Sequence, residues 1–110
     1  MTPIPPNLVW RQRLNRPVLT DHDQLLIQDR LDMKLYGMRK ETEPIAGFRI
    51  LHRDEERGRS DFLLLRRDLQ NGGFFFDLTS PLGQVTDEEA AKLDGQVAEV
   101  IAELDDVSRG

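Results

Sequence analysis

The chain has 110 residues with a net charge of −5, 38% apolar residues, 32% charged residues and no cysteine. This size and composition favour a single folded domain over a disordered chain. The lack of cysteine excludes disulfide scaffolds, thiolate metal sites and cysteine nucleophiles. No apolar run is long enough to span a membrane and no signal peptide is visible, so we expect a soluble, cytoplasmic protein.

The N-terminal segment "MTPIPP" predicts an extended, proline-rich leader over residues 1–6, followed by one domain over residues 7–110. The stretch "LVWRQRL", residues 8–14, alternates between apolar and polar side chains. This pattern predicts a strand with Trp10 on the inner face and with Arg11 and Arg13 on a solvated face or at a sheet edge.

A helix is predicted over residues 20–32, where Thr20 or Asp21 can cap the amino end. Two acidic residues in the first turn, Asp21 and Asp23, suit the positive end of the helix dipole. After Leu31 the sequence "LDMKLYGMRK" also reads as alternation, so a strand is predicted over residues 33–40.

Three further strands are predicted between about residues 47 and 79, in the stretches "FRILHRD", "DFLLLRRDL" and "GFFFDLTS". The Asn71-Gly72 pair separates the last two strands and predicts a hairpin turn, because both residues tolerate a positive φ. The three strands therefore form an antiparallel meander.

The C-terminal stretch predicts a long helix over about residues 86–106. Thr86 and Glu89 have the spacing of a capping box, and an apolar stripe continues to Val107. Asp94-Gly95 is either tolerated within this helix or kinks it. The predicted class is α+β, with an antiparallel sheet of four to five strands and two helices.

The predicted meander is apolar on both faces. One face would carry Phe48, Ile50, Phe62, Leu64, Phe74, Phe76 and Leu78. The other would carry Leu51, Leu63, Leu65 and Phe75. Leaving these last four in water would forgo about 6–12 kcal/mol, which is comparable to the stability of a whole domain. We therefore expect a second cover besides the C-terminal helix: the N-terminal helix, the Trp10 strand, a second copy or a partner.

The C-terminal helix is strongly acidic. Residues 86–106 hold eight acidic residues against Lys92 alone. Acids in the last turn oppose the helix dipole, which favours an anionic surface for a basic partner. The alternatives are a solubilising face or internal pairing with Arg11, Arg13 or Arg16. The predicted protein-binding residues are Leu63, Leu65, Phe75, Glu99, Glu103, Asp105 and Asp106.

No motif in the sequence identifies a reaction, a cofactor or a metal. The order of elements resembles that of small secretion chaperones and immunity proteins, but no residue role transfers from this architectural likeness. We predict a non-catalytic protein-binding module of the inhibitor, immunity or chaperone-like adaptor type, without a cofactor, whose partner is another protein with a basic surface or a second copy.

Two other classes of function stay open from the sequence. One is a small enzyme or ligand-binding domain with a pocket between sheet and helix, which would use His52 and nearby carboxylates. The other is nucleic-acid binding through Arg11, Arg13 and Arg16, because no acidic residue lies among them before Asp21. A chain isoelectric point near 5.0 disfavours the second class.

Overall fold

The computed structural model of the chain describes residues 7–36, 40, 42–81 and 83–109. The fold is α+β, as predicted, with two helices and a five-stranded antiparallel sheet. The strands are β1 (Leu8–Leu14), β2 (Lys34–Leu35), β3 (Ile45–Asp54), β4 (Arg59–Arg67) and β5 (Phe74–Thr79). The helices are α1 (Asp21–Leu31) and α2 (Asp87–Arg109). The predicted leader, residues 1–6, lies outside the described residues.

The strand order in the sheet is β1-β5-β4-β3-β2. Strands β3, β4 and β5 are consecutive neighbours, so the predicted meander is confirmed. The Trp10 strand, β1, pairs with β5 and forms one edge of the sheet, while β2 pairs with β3 at the other edge.

The predicted strand at 33–40 is wrong in length. Strand β2 contains only Lys34 and Leu35, and residues 37–39 of the predicted span lie outside the described residues. A register shift in β3 between Ile45 and Gly47 accompanies the end of the β2 ladder. At this edge a Cβ on Gly47 would collide with the Leu35 side chain and would lie 2.8 Å from the Lys34 carbonyl oxygen.

Both helices begin with a capping box. In α1, Asp23 N donates to Thr20 Oγ1 at 3.1 Å, and Thr20 N donates to the Asp23 carboxylate at 2.9 Å. In α2, Glu89 N donates to Thr86 Oγ1 at 3.2 Å, as the sequence predicted. Helix α2 continues without interruption through Gly95, so a glycine is tolerated in mid-helix here.

The two helices pack on the same face of the sheet. Their buried side chains, among them Ile27 in α1 and Val97 in α2, belong to one core cluster with Leu63 and Leu65 of β4. The expectation that α1 or β1 covers the second face is therefore wrong for the described residues, because α1 lies beside α2 and β1 lies within the sheet.

The predicted distribution of apolar residues between the two faces is wrong for β5. Leu63 pairs with Leu78 and Leu65 pairs with Phe76, so these residues share the helix-covered face. Phe75 lies on the opposite face, because neighbouring residues of a strand alternate between faces. A one-residue error in register exchanges the two faces of a strand, and the sequence of β5 is apolar on both sides.

The predicted hairpin between β4 and β5 is present, but the positive φ angles expected at Asn71 and Gly72 occur one residue later. Gly72 and Gly73 have positive φ angles of 78° and 83°, whereas Asn71 does not. The Asp68 carboxylate accepts hydrogen bonds from Gln70 N and Asn71 N, both at 3.1 Å. An aspartate therefore caps the start of this loop, and two glycines occupy its left-handed positions.

Candidate functional site

The face of the sheet opposite the helices, called the open face below, has an apolar centre. Phe48 pairs with Leu64 and Ile50 pairs with Phe62 across β3 and β4. All four side chains are half-buried, and none belongs to the core cluster under the helices. Within the described part of the chain, no helix packs on this centre.

Aromatic rings connect the apolar centre to the β2 edge. The ring of Tyr36 lies 5.8 Å from that of Phe48, and the ring of Phe48 lies 6.3 Å from that of Phe62, both edge to face. Tyr36 is 58% exposed. This geometry is favourable for aromatic pairs, and it holds the rings together at the surface of the sheet without a covering layer.

Basic side chains surround the apolar centre. The register of the strands places five of them on the open face: Arg11, Arg13, Lys34, Arg53 and Arg66. Among the described strand residues, the one acid on this face is Asp77, which is completely buried. The open face is therefore cationic in a chain whose net charge is −5.

Asp77 organises the β1 half of the open face. Arg11 donates from Nε and Nη2 to the two carboxylate oxygens of Asp77 at 2.7 and 2.8 Å, and Arg66 Nε lies 3.5 Å from the same carboxylate. The hydrogen bond to Asp77 raises the pKa of Arg11. Bidentate pairing of this kind fixes the plane of a guanidinium group.

Phe75, one of the predicted binding residues, lies on the open face between two of these arginines. The guanidinium carbons of Arg11 and Arg13 lie 4.1 and 5.1 Å from its ring centroid. Arg13 is held in turn by Asp68 at 2.8 Å and by the Gly72 carbonyl oxygen at 2.6 Å. The arginine side chains therefore cover much of the Phe75 ring.

The other apolar residues predicted to bind a partner, Leu63 and Leu65, are completely buried. They lie on the covered face beneath the protein's own helices, which already bury their apolar surface. The half-buried residues of the centre around Phe48 were assigned to an apolar sheet face from the sequence, but they were not among the predicted binding residues. The alternation of apolar residues in β3 indicated an apolar face. Only the register with β4 and the position of α1 show that no described helix covers that face.

The four predicted acidic residues of α2 differ in their contacts. Glu103 accepts two hydrogen bonds from Arg30 of α1, at 3.2 and 3.3 Å, and this contact raises the pKa of Arg30. Glu99, Asp105 and Asp106 are exposed. These three carboxylates leave an anionic surface on α2.

Within the described part of the chain, the three N-terminal arginines do not pair with carboxylates of α2. Arg11 and Arg13 bond to Asp77 and Asp68, and Arg16 Nη2 lies 3.0 Å from Asp23 Oδ2. The alternative of internal pairing between these arginines and the acidic helix is therefore wrong. Each arginine instead has a buried aspartate as its partner.

His52 lies between the carboxylates of Asp61 in β4 and Glu89 at the start of α2. Its Nδ1 lies 3.2 Å from Asp61 Oδ2, and its Nε2 lies 3.8 Å from Glu89 Oε2. Since the two acids approach opposite ring nitrogens, they do not converge on one point. No group of three metal-binding side chains occurs among the described residues.

His52 also lines a cavity of about 220 Å³ between β3 and α2. The other lining residues are Arg49, Leu51, Val85, Glu89, Lys92, Leu93 and Gln96. The pocket considered at the sequence level as an alternative site is therefore present. The part of the chain that the structure describes brings no serine or threonine hydroxyl to its wall.

No protein-family model, curated protein or solved structure matches the chain. Among the helices of the described residues, none is long and apolar enough to cross a membrane.

Proposed function

We propose that the protein is a non-catalytic protein-binding module that acts through its open face. The observation that carries this proposal is the aromatic and aliphatic centre around Phe48 and Phe62, which no described helix covers and which cationic side chains surround. Contiguous apolar patches with a polar surround are typical of protein interfaces.

The partner we propose is a segment of another protein with apolar and acidic side chains. Its apolar residues would pack on Phe48, Ile50 and Phe62, and its carboxylates would meet Lys34 and Arg53 at the periphery. Neither cation has an ion-pair partner within the described residues, so both are available for charge complementarity.

The same charges disfavour a second copy as the partner. Each open face carries five cationic side chains and the buried Asp77. If two open faces packed on each other, ten cations and two aspartates would therefore share one interface. Like charges brought together in an interface cost free energy. A homodimer through this face is therefore an alternative that the experiments below separate from a foreign partner.

The exposed acids of α2 are proposed to contribute long-range electrostatic attraction rather than direct contact. Glu99, Asp105 and Asp106 lie on the helix layer, away from the open face. They support a second, longer-range attraction toward a basic surface, which affects the rate of association more than the strength of the complex.

Selection from a displayed library of random peptides tests the proposed partner chemistry. The selection would use the wild-type protein alone, and the affinity of the selected peptides would then be measured for the wild type and for a Phe48→Ser, Phe62→Ser double variant. We expect acidic, apolar sequences that bind the double variant at least about 30-fold more weakly, the loss of a hot-spot contact of about 2 kcal/mol.

A matched control is Leu25→Ser, which changes an exposed apolar residue of α1. This substitution should leave peptide binding unchanged. Selected peptides that bind the double variant as well as the wild type, or that are predominantly basic, would contradict the proposal.

A further inference from the structure

The cavity between β3 and α2 has the composition of a small-molecule site. Its walls combine apolar side chains, Leu51, Val85 and Leu93, with charged and polar groups from both elements. Ligand sites are commonly concave and apolar with a few polar groups that fix the orientation of the ligand. This cavity lies on the helix side of β3, whereas the proposed docking surface lies on the opposite side of the sheet.

Two cations that line the cavity have no acidic partner among the described residues. Arg49 Nη1 makes one long hydrogen bond of 3.4 Å, to the Leu31 carbonyl oxygen, and Lys92 of α2 takes part in no ion pair. A guanidinium group retains donors that suit a carboxylate after one such bond. The positive charge at the cavity is therefore available to a ligand.

Glu89, the acidic residue among those described as lining the cavity, already has contacts within the protein. Glu89 accepts from Thr86 N at 3.4 Å, as part of the capping box of α2, and lies 3.8 Å from His52 Nε2. Asp61 is completely buried and holds His52 Nδ1 at 3.2 Å. Glu89 therefore has contacts within the protein, whereas Arg49 and Lys92 have no anionic partner among the described residues.

We propose that this cavity binds a small organic carboxylate. Arg49 and Lys92 hold the carboxylate group, and Leu51, Val85 and Leu93 contact the apolar part of the ligand. The volume of about 220 Å³ is below the roughly 300–1,000 Å³ of common ligand pockets, which limits the ligand to a short chain or a single ring. For a ligand of this size we expect a Kd of about 1 mM.

Titration of the full-length protein with hexanoate, followed by NMR of the backbone amides, tests this site. We expect saturable shifts confined to β3 and the first half of α2. Hexanamide, which has the same shape without the charge, should bind at least about tenfold more weakly. Inorganic phosphate, which lacks the apolar part, should also bind at least about tenfold more weakly.

The decisive variant is Arg49→Gln with Lys92→Gln, which should weaken hexanoate binding at least about tenfold. The matched control, Lys34→Gln with Arg53→Gln, removes the same charge from the open face and should leave binding unchanged. Glu89→Gln keeps a capping side chain but removes the negative charge from the cavity, so it should tighten binding.

The proposal would be overturned by equal affinity for hexanoate and hexanamide, by equal affinity for hexanoate and phosphate, or by an equal loss of hexanoate binding in the control variant. Shifts that do not saturate would also overturn it. The comparison of the three ligands uses only the wild-type protein, so it decides the matter even if the double variant does not fold. Because peptide binding at the open face is a separate measurement, failure of either proposal leaves the other testable.

Discussion

The two faces of the sheet are both apolar, but they contribute differently to the molecule. The covered face places completely buried residues such as Leu65 and Phe76 against both helices. The open face keeps Phe48 and Phe62 half-buried and surrounds them with cations. Removal of side chains from the covered face should therefore cost stability, while removal from the open face should mainly cost binding.

The largest effect is expected from Phe76→Ala on the covered face. Phe76 is completely buried within the core cluster, so the variant should lose about 3–5 kcal/mol of unfolding free energy. Urea denaturation followed by circular dichroism measures this loss. A loss below about 1 kcal/mol would contradict the assignment of this residue to the core.

A smaller loss is expected when the buried acid of the open face is replaced. Asp77→Ala leaves Arg11 and Arg66 without their shared carboxylate, and should cost about 1.5–3 kcal/mol. Asp105→Ala, which changes an exposed acid of α2, is the matched control. If both variants unfold at the same urea concentration, Asp77 does not organise this half of the face.

A steric substitution at the β2 edge should cost as much stability as Asp77→Ala or less. Gly47→Ala places a methyl group against Leu35 and the Lys34 carbonyl oxygen, and should cost about 1–3 kcal/mol. Gly95→Ala meets no atom within 4 Å and should instead stabilise the long helix. Thermal denaturation of the two variants should therefore shift Tm in opposite directions, and parallel shifts would contradict the close approach at Gly47.

The smallest effect on stability is expected on the open face. Phe48→Ala removes one half-buried ring and its contacts with Tyr36 and Phe62, at a cost of about 1 kcal/mol. The same variant should lose most of its affinity for the selected peptides. A loss of stability as large as that of Phe76→Ala would remove the distinction between the two faces.

Local signals in the sequence predicted much of the fold. Thr86 with Glu89 predicted the start of α2, and the alternation around Trp10 predicted β1. These features depend on residues that are close together in the chain, so their physical causes can be read directly from the sequence.

Features that depend on distant pairing could not be predicted in the same way. The phase of "FFFDLT" is ambiguous because Phe74, Phe75 and Phe76 are all apolar, and only the register with β4 places Phe75 on the open face. Amphipathic patterns show that a helix has an apolar side, but they do not reveal which sheet face receives it. For this reason the sequence did not predict that α1 and α2 share one face.

The candidate site likewise combines features that local sequence predicted with features that depend on distant pairing. The sequence indicated that the sheet is apolar on both faces, and Leu63, Leu65 and Phe75 were predicted to bind a partner. Leu63 and Leu65 are instead core residues. The cationic surround of the centre arises from separate strands: Lys34 reaches it through pairing with Phe48, and Arg53 reaches it through pairing with Ser60. Such a cluster has no signature in the linear sequence.

Photo-crosslinking in the native cells tests the central claim most directly. The photoreactive residue p-benzoylphenylalanine would replace Phe48 on the open face or, as a control, the exposed Leu25 on α1. We predict a discrete adduct at position 48 with an acidic, apolar segment of another protein, and no such adduct at position 25. Equal crosslinking at both positions, an adduct with a second copy, or an adduct with nucleic acid would contradict the account.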